Sequence, residues 1–149
     1  LDSPTGVERL SGYKDALAQH GIAVRDALIA EGKWNPASGA AAVSQLLTRG
    51  ETFTALVASN DDMAIGAIRQ LHESGVATPG AVSVIGFDDV AIAPYIVPSL
   101  SSVRIPVTEM IQETISRMIF MLDGGEFKPQ QTFSGELILR DSVIDGPHR

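Results

Sequence analysis

Two short acidic runs are the part of this sequence best suited to chemistry. Asn60, Asp61 and Asp62 follow one apolar run, and Asp88 and Asp89 follow another. Carboxylate and amide groups that lie together can hold a metal ion, accept a phosphoryl group or hydrogen-bond a hydroxylated ligand. Where such a polar run lies between a strand and a helix, the plainer interpretation is helix capping, because Asn, Ser and Asp oxygens accept from the free backbone N–H groups at a helix start.

Three side chains elsewhere bear on the choice between these chemistries. Lys33 keeps phosphoryl chemistry open, because metal-assisted transfer needs a positive partner. Trp34, the only tryptophan, favours a sugar, because an indole face packs on C–H groups; it could equally be a core or capping residue. Arg9 could donate its guanidinium fork to ligand oxygens, or be a solvated residue of the first predicted helix.

Catalytic candidates are poor. The histidines, His20, His72 and His148, have no spacing that resembles a metal site or a catalytic triad, and no serine lies in a G-x-S-x-G elbow. We therefore expect a binding site with no catalytic residue, no metal ion and no cofactor, in a protein that is not an enzyme.

The elements that would position these residues alternate along the chain. Three- and four-residue apolar spacing predicts helices that begin at Pro4, Pro36, Asp62 and Pro106. Short β-type runs predict strands at 27–30, 53–58, 82–87, 100–105 and 136–139. Alternation at this interval indicates an α/β fold with a mainly parallel sheet. Because parallel strands end at one edge, the two acidic runs should share a crevice there.

Composition limits the function classes. The chain has 149 residues, a net charge of -7 and a pI near 4.8, so it does not itself provide the clustered basic residues that grip nucleic acid. It lacks cysteine, which excludes disulfides and thiol chemistry and fits the cytosol. No apolar run approaches the roughly 20 residues of a membrane span. The chain opens on a helix where a doubly wound sheet opens on a strand, so we expect a truncated domain.

Several ordered motifs resemble one known family over the whole chain. LVASNDDMAIGAI (56–68), VSVIGFDDV (82–90) and PSLSSV (98–103) are similar to the C-terminal half of the lactose and galactose repressor family. RLSGYKDAL, GKWNPASG and SGELILRDSVI follow the same order. The stretch IAPYIVPSLSSVRIPVTEMIQ resembles the galactose repressor and isorepressor branch most.

The resemblance implies a periplasmic-binding-protein type I fold: two α/β subdomains joined by three strands, with ligand in the cleft. Residues 1–103 would belong to the C-terminal subdomain, 104–132 to the N-terminal subdomain, and 133–149 to the return and tail. A complete member also has a helix-turn-helix head, and both that head and most of the first subdomain are absent from this sequence.

The resemblance also implies site residues. Arg9, Trp34, Asn60 and Asp88 match the family's sugar contacts. Asp61, Asp62 and Asp89 would cap helices or hold those contacts in place. Ile105 stands where the lactose repressor branch has a polar inducer contact, which puts that contact in doubt.

The function implied is the effector-sensing half of a cytoplasmic transcriptional repressor. A galactose-like sugar would close the cleft, and the missing head would bind operator DNA. One alternative is a periplasmic sugar-binding protein of the same fold for transport or chemotaxis. A more distant one is a magnesium-dependent phosphoacceptor or hydrolase that uses Asp61, Asp62 and Asp88.

A homodimer is the last expectation. The segment 90–97 is apolar, but Pro94 and Pro98 prevent it from being a central strand, and an exposed apolar run usually marks a contact surface. The helix from Asp62 to Glu73 would add its outer face. The expected interface residues are Ala64, Ile68, Ile92, Tyr95 and Ile96.

Overall fold

The computed structural model describes residues 3–126 and 131–146. The helices are α1 (Pro4–Gln19), α2 (Pro36–Thr48), α3 (Asp61–Glu73) and α4 (Val107–Leu122). The strands are β1 (Ala55–Val57), β2 (Ser83–Ile85), β3 (Ser102–Arg104) and β4 (Glu136–Ile138), and short 3-10 turns cover Asp26–Leu28 and Ala93–Tyr95. Helices and strands alternate as the sequence predicts, although the strands are shorter than expected.

The strands form two pairs. β1 and β2 are parallel, with Leu56 opposite Val84, whereas β3 and β4 are antiparallel, with Val103 opposite Leu137. Parallel bridges from Ile85 to Ser101 and from Asp88 to Arg104 connect the line of β2 to β3. The carboxyl ends of β1 and β2 therefore lie at one edge, beside the start of α3.

The core lies between α3, its neighbour α2 and the parallel strands. Leu71, Val84 and Leu100 are fully buried within it, because α3 turns its apolar stripe toward the sheet. Two glycines bring α2 and α3 into contact: a Cβ on Gly66 would lie 1.8 Å from the carbonyl oxygen of Pro36, and one on Gly39 would lie 2.1 Å from that of Met63. This packing fixes the start of α3.

Two predictions from the sequence are wrong. The expected strand at 27–30 is a 3-10 turn followed by irregular backbone. Its carbonyls at Ala27 and Ile29 accept from the Arg49 side chain, each at 2.8 Å, instead of from a neighbouring strand. Ala64 and Ile68 were expected on the outer face of α3, but both are buried in the chain's own core, because that side of the helix faces the sheet.

α4 has no buried residue within the described parts of the chain. Its apolar stripe is exposed along its whole length and comprises Val107, Met110, Ile111, Ile115, Met118, Ile119, Phe120, Met121 and Leu122. A stripe of this size normally packs against another element. Among the described residues, no helix combines the length and apolarity that crossing a bilayer requires.

Candidate functional site

An ion pair at the carboxyl edge of the parallel strands is the centre of the site. Arg9, on α1, donates to the Asp88 carboxylate, which follows β2, across 3.3 Å. The same guanidinium also donates to the backbone carbonyl of Ser59, which follows β1. Both side chains remain partly exposed, Arg9 at 22% and Asp88 at 31%. One cation therefore spans the two strand ends, where a ligand can still reach it.

Two aromatic rings flank this guanidinium. Its central carbon lies 3.9 Å from the centroid of the Phe87 ring and 5.4 Å from that of Trp34, within the range of cation–π attraction. Phe87 was not predicted as a site residue; its position directly before Asp88 was the available signal. The site thus combines a charged hydrogen-bonding centre with apolar ring faces.

Asn60 connects the site to two elements. Its side-chain oxygen accepts from the backbone N–H of Met63 at 3.0 Å and so caps α3, which is the plain role that the sequence suggested. Its amide nitrogen donates to the carbonyl of Trp34 at 3.3 Å. Asn60 therefore holds the loop that carries Trp34 against the start of α3.

The backbone of this site is strained at three residues. Trp34, Asp88 and Asp89 have φ values of 60°, 111° and 54°, in the left-handed region that L-residues other than glycine enter at a cost. Such a conformation persists only where neighbouring contacts hold it. Trp34 and Asp88 are expected sugar contacts, so the strained backbone lies where ligand contacts are expected.

Asp61 lies beneath the strained segment and is fully buried. One carboxylate oxygen accepts from the Ser102 hydroxyl at 2.6 Å, and the other accepts from the backbone N–H of Val90 at 2.8 Å. Burial raises the pKa of Asp61, and the two hydrogen bonds partly oppose that change. Asp62, the next residue of α3, is exposed.

Asp89 turns away from Asp88 toward two arginines. Its carboxylate lies 2.7 Å from nitrogens of Arg140 and Arg104, and only 5% of its side chain is exposed. The hydrogen bond from Arg140 and the one from Arg104 hold the pKa of Asp89 below its usual value, against the effect of burial. Arg104 ends β3, so this ion-pair cluster connects the loop after β2 to the strand that leads into α4.

The acidic residues do not form a metal site within residues 3–126 and 131–146, where no three His, Cys, Asp or Glu side chains converge. Both oxygens of Asp61 accept hydrogen bonds, and Asp88 pairs with Arg9. The geometry therefore gives no support to the magnesium-dependent alternative. His148 lies outside the described residues.

The segment 90–97 is partly anchored and partly exposed. Ala93 is buried and Ile96 packs against the core, whereas Ile92, Tyr95 and Val97 are 51%, 79% and 92% exposed. The exposed members form an apolar surface patch, here called the Ile92–Val97 patch.

The chain is similar over most of its length to bacterial transcriptional regulators. Residues 2–143 match the family described as periplasmic binding protein-like domain. The HTH-type transcriptional regulator AscG of Escherichia coli K12 is 73% identical over 97% of this chain and 43% of its own length. The HTH-type transcriptional regulator GalR of the same strain is 41% identical over 91% of this chain and 40% of its own length.

Solved structures agree in fold. A sugar-binding transcriptional regulator of the LacI family from Escherichia coli, complexed with phosphate, has a TM-score of 0.90 and 73% identity over 97% of this chain and 52% of its own. A Lac repressor dimer bound to operator and an anti-inducer has a TM-score of 0.87 and 29% identity over 95% of this chain and 49% of its own. The chain thus spans about half, or less, of the proteins it matches.

Proposed function

This chain belongs to the LacI family of transcriptional regulators, through its periplasmic binding protein-like domain, and from that premise we propose that it is the C-terminal half of a sugar sensor that controls DNA binding. Its ligand in the proposal is a galactose-like sugar, which the resemblance of residues 92–112 to the galactose repressor branch implies. We place the protein in the cytoplasm, where operator DNA is available.

The observation that carries the proposal is the convergence of Arg9, Asp88, Trp34 and Phe87 at the carboxyl edge of the parallel strands. A pyranose presents hydroxyls that both donate and accept, on a ring with apolar C–H faces. The carboxylate accepts from hydroxyls, the guanidinium donates to oxygens, and the indole packs on C–H groups. Arg9 and Asp88 pair with each other, so a sugar that contacts both has to replace or share that ion pair.

The second half of the cleft lies outside this sequence in the proposal. Residues 104–132 belong to the N-terminal subdomain, and the chain returns to the C-terminal subdomain over 133–149. The exposed apolar stripe of α4 supports this assignment, because that stripe finds no partner among the described residues. We call the form that contains both halves the two-subdomain protein.

The mechanism is a coupling between sugar and DNA. Sugar contacts both subdomains and so stabilises the closed cleft over the open one. Paired helix-turn-helix heads, also outside this sequence, bind operator half-sites at a spacing that depends on the subdomain angle. Pairing is a homodimer through the Ile92–Val97 patch, supported by its exposed apolar side chains.

Calorimetric titration of the two-subdomain protein with D-galactose, D-fucose and D-glucose tests the proposal. We expect saturable binding of at least one of these sugars. Arg9→Ala should raise its Kd at least tenfold. The open-chain polyol sorbitol is the control, because it offers hydroxyls without a ring face. No binding of any of the three sugars, or equal binding by Arg9→Ala, would contradict the sugar assignment.

A further inference from the structure

We infer that the buried carboxylate of Asp61 is the positioning residue of the site, which holds the strained 86–90 segment so that Asp88 points toward Arg9 and the ligand. The inference rests on the proposed function for its ligand, but its contacts are those of this chain alone. It assigns Asp61 a role in affinity that helix capping does not give, because Asn60 already caps α3.

Asp61 holds the segment from two sides of Asp88. Its backbone N–H donates to the carbonyl of Phe87 at 2.9 Å, and its side chain accepts from the N–H of Val90 at 2.8 Å. Phe87 precedes Asp88 and Val90 follows Asp89, so the two residues with positive φ lie between contacts made by one residue. These contacts offset the tendency of that segment to relax to ordinary dihedral angles.

Ser102 extends the same support. Its hydroxyl donates to Asp61 at 2.6 Å and accepts from the backbone N–H of Asp89 at 3.0 Å. Asp61 thereby orients the group that fixes Asp89. The N–H of Asp88 itself donates to the carbonyl of Val103 at 2.9 Å, so β3 completes the support and Asp61 connects it to α3.

Gly86 allows this approach. A Cβ at Gly86 would lie 2.0 Å from Asp61 Oδ1, which means that the carboxylate occupies the space where any other residue would place its side chain. The space suits a planar branched group that carries two polar atoms. An asparagine has the same shape: its oxygen can accept from Val90, and its amide can donate to the Ser102 oxygen. Alanine supplies neither contact.

A double-mutant cycle separates positioning from general stability. The titrant is whichever of D-galactose, D-fucose and D-glucose binds the parent most tightly. It is titrated into the two-subdomain protein carrying Asp61→Ala, Asp88→Ala or both. We expect Asp61→Ala to weaken binding at least tenfold in the parent and less than twofold in the Asp88→Ala background. We expect Asp61→Asn to bind within threefold of the parent. His72→Ala, an exposed position near the other end of the same helix, is the control and should bind as the parent does.

An equal loss in both backgrounds would overturn the inference, because Asp61 would then act independently of Asp88. If Asp61→Ala does not fold, Asp61→Ser takes its place in the cycle, since serine keeps a small polar group there but cannot reach both partners. If no sugar binds the parent, the proposed function fails. Amide hydrogen exchange of this chain then tests by itself whether Asp61 positions the 86–90 segment. Faster exchange confined to Asp88 and Val90 in Asp61→Ala supports positioning, whereas unchanged or uniformly lost protection overturns it.

Discussion

Replacing Asp88 by alanine tests how much of the affinity depends on the ion-pair centre. In the structure Asp88 accepts a charged hydrogen bond from Arg9, and in the proposed complex the same carboxylate accepts from sugar hydroxyls. A hydrogen bond to a charged group contributes about 1.5–3 kcal/mol. Since 31% of the side chain remains exposed, we expect the lower half of that range, which corresponds to about a 10- to 40-fold rise in Kd.

The assay is calorimetry on the two-subdomain protein with the sugar that binds the parent. Asp88→Asn is the graded control: it keeps an acceptor but loses the charge that holds Arg9, so its Kd should fall between those of the parent and the alanine variant. Thermal unfolding of both variants, within a few degrees of the parent, would show that the site and not the fold has changed. A Kd within twofold of the parent for Asp88→Ala would refute the placement of Asp88 in the ligand site.

Four further predictions concern the shared cleft, the dimer, Gly86 and Asp89. Residues 1–149 alone should bind the sugar at millimolar Kd or weaker, because only half of the cleft converges on it. Ile92→Glu with Tyr95→Glu should give folded monomers, because like charges would meet across a two-fold axis. Gly86→Ala should lower stability by about 1–3 kcal/mol, because its methyl group meets a buried carboxylate. Asp89→Asn should cost about 3 kcal/mol at pH 7, the scale for breaking a buried ion pair, and less near pH 3.

The sign of that pH dependence follows from the lowered pKa of Asp89. Its carboxylate stabilises the fold above its ordinary pKa of about 3.9, and that contribution is lost as the pH falls through the lower folded-state value. Denaturant unfolding of parent and variant at pH 7 and near pH 3 measures it, and an equal difference at both pH values would contradict the ion-pair account.

The other three predictions have equally simple checks. Micromolar binding by the 149-residue chain would contradict a shared cleft. Sedimentation measures the mass of the charged double variant beside a control, Gln45→Glu on the exposed side of α2. The double variant should be a monomer and the control a dimer, and an unchanged mass for the double variant would place the interface elsewhere. We exclude Ile96 from that variant because it packs against the core. For Gly86→Ala, unfolding at the parent's denaturant midpoint would show that the site relaxes without cost.

The sequence predicted the elements that carry strong local signals. Asn35 before Pro36 forms the capping box that opens α2, and the apolar spacing of α3 located its buried stripe. The strand predicted at 27–30 was wrong because a short apolar run does not show whether a neighbouring strand exists to pair with it. Here the Arg49 side chain donates to the carbonyls of Ala27 and Ile29 instead. Ala64 and Ile68 belong to the buried stripe of α3, so placing them in a dimer interface conflicted with the helix spacing, and both are buried in the chain's own core.

The candidate site required more than local pattern. The convergence of Arg9 with Asp88, 79 positions apart, depends on the parallel pairing of β1 with β2, and only the resemblance to a known family indicated it. Phe87 and the buried position of Asp61 were missed for a related reason: they depend on the backbone bend after Gly86 and on the space beside that glycine, and a glycine in a sequence does not show what fills that space.

A crystal structure of the two-subdomain protein with its bound sugar tests the central claim most directly. We predict sugar hydroxyls within hydrogen-bonding distance of Arg9 and Asp88, with a ring face on Trp34 and the backbone of Asp88 still at positive φ. Sugar bound elsewhere, with the ion pair between Arg9 and Asp88 intact and untouched, would contradict it.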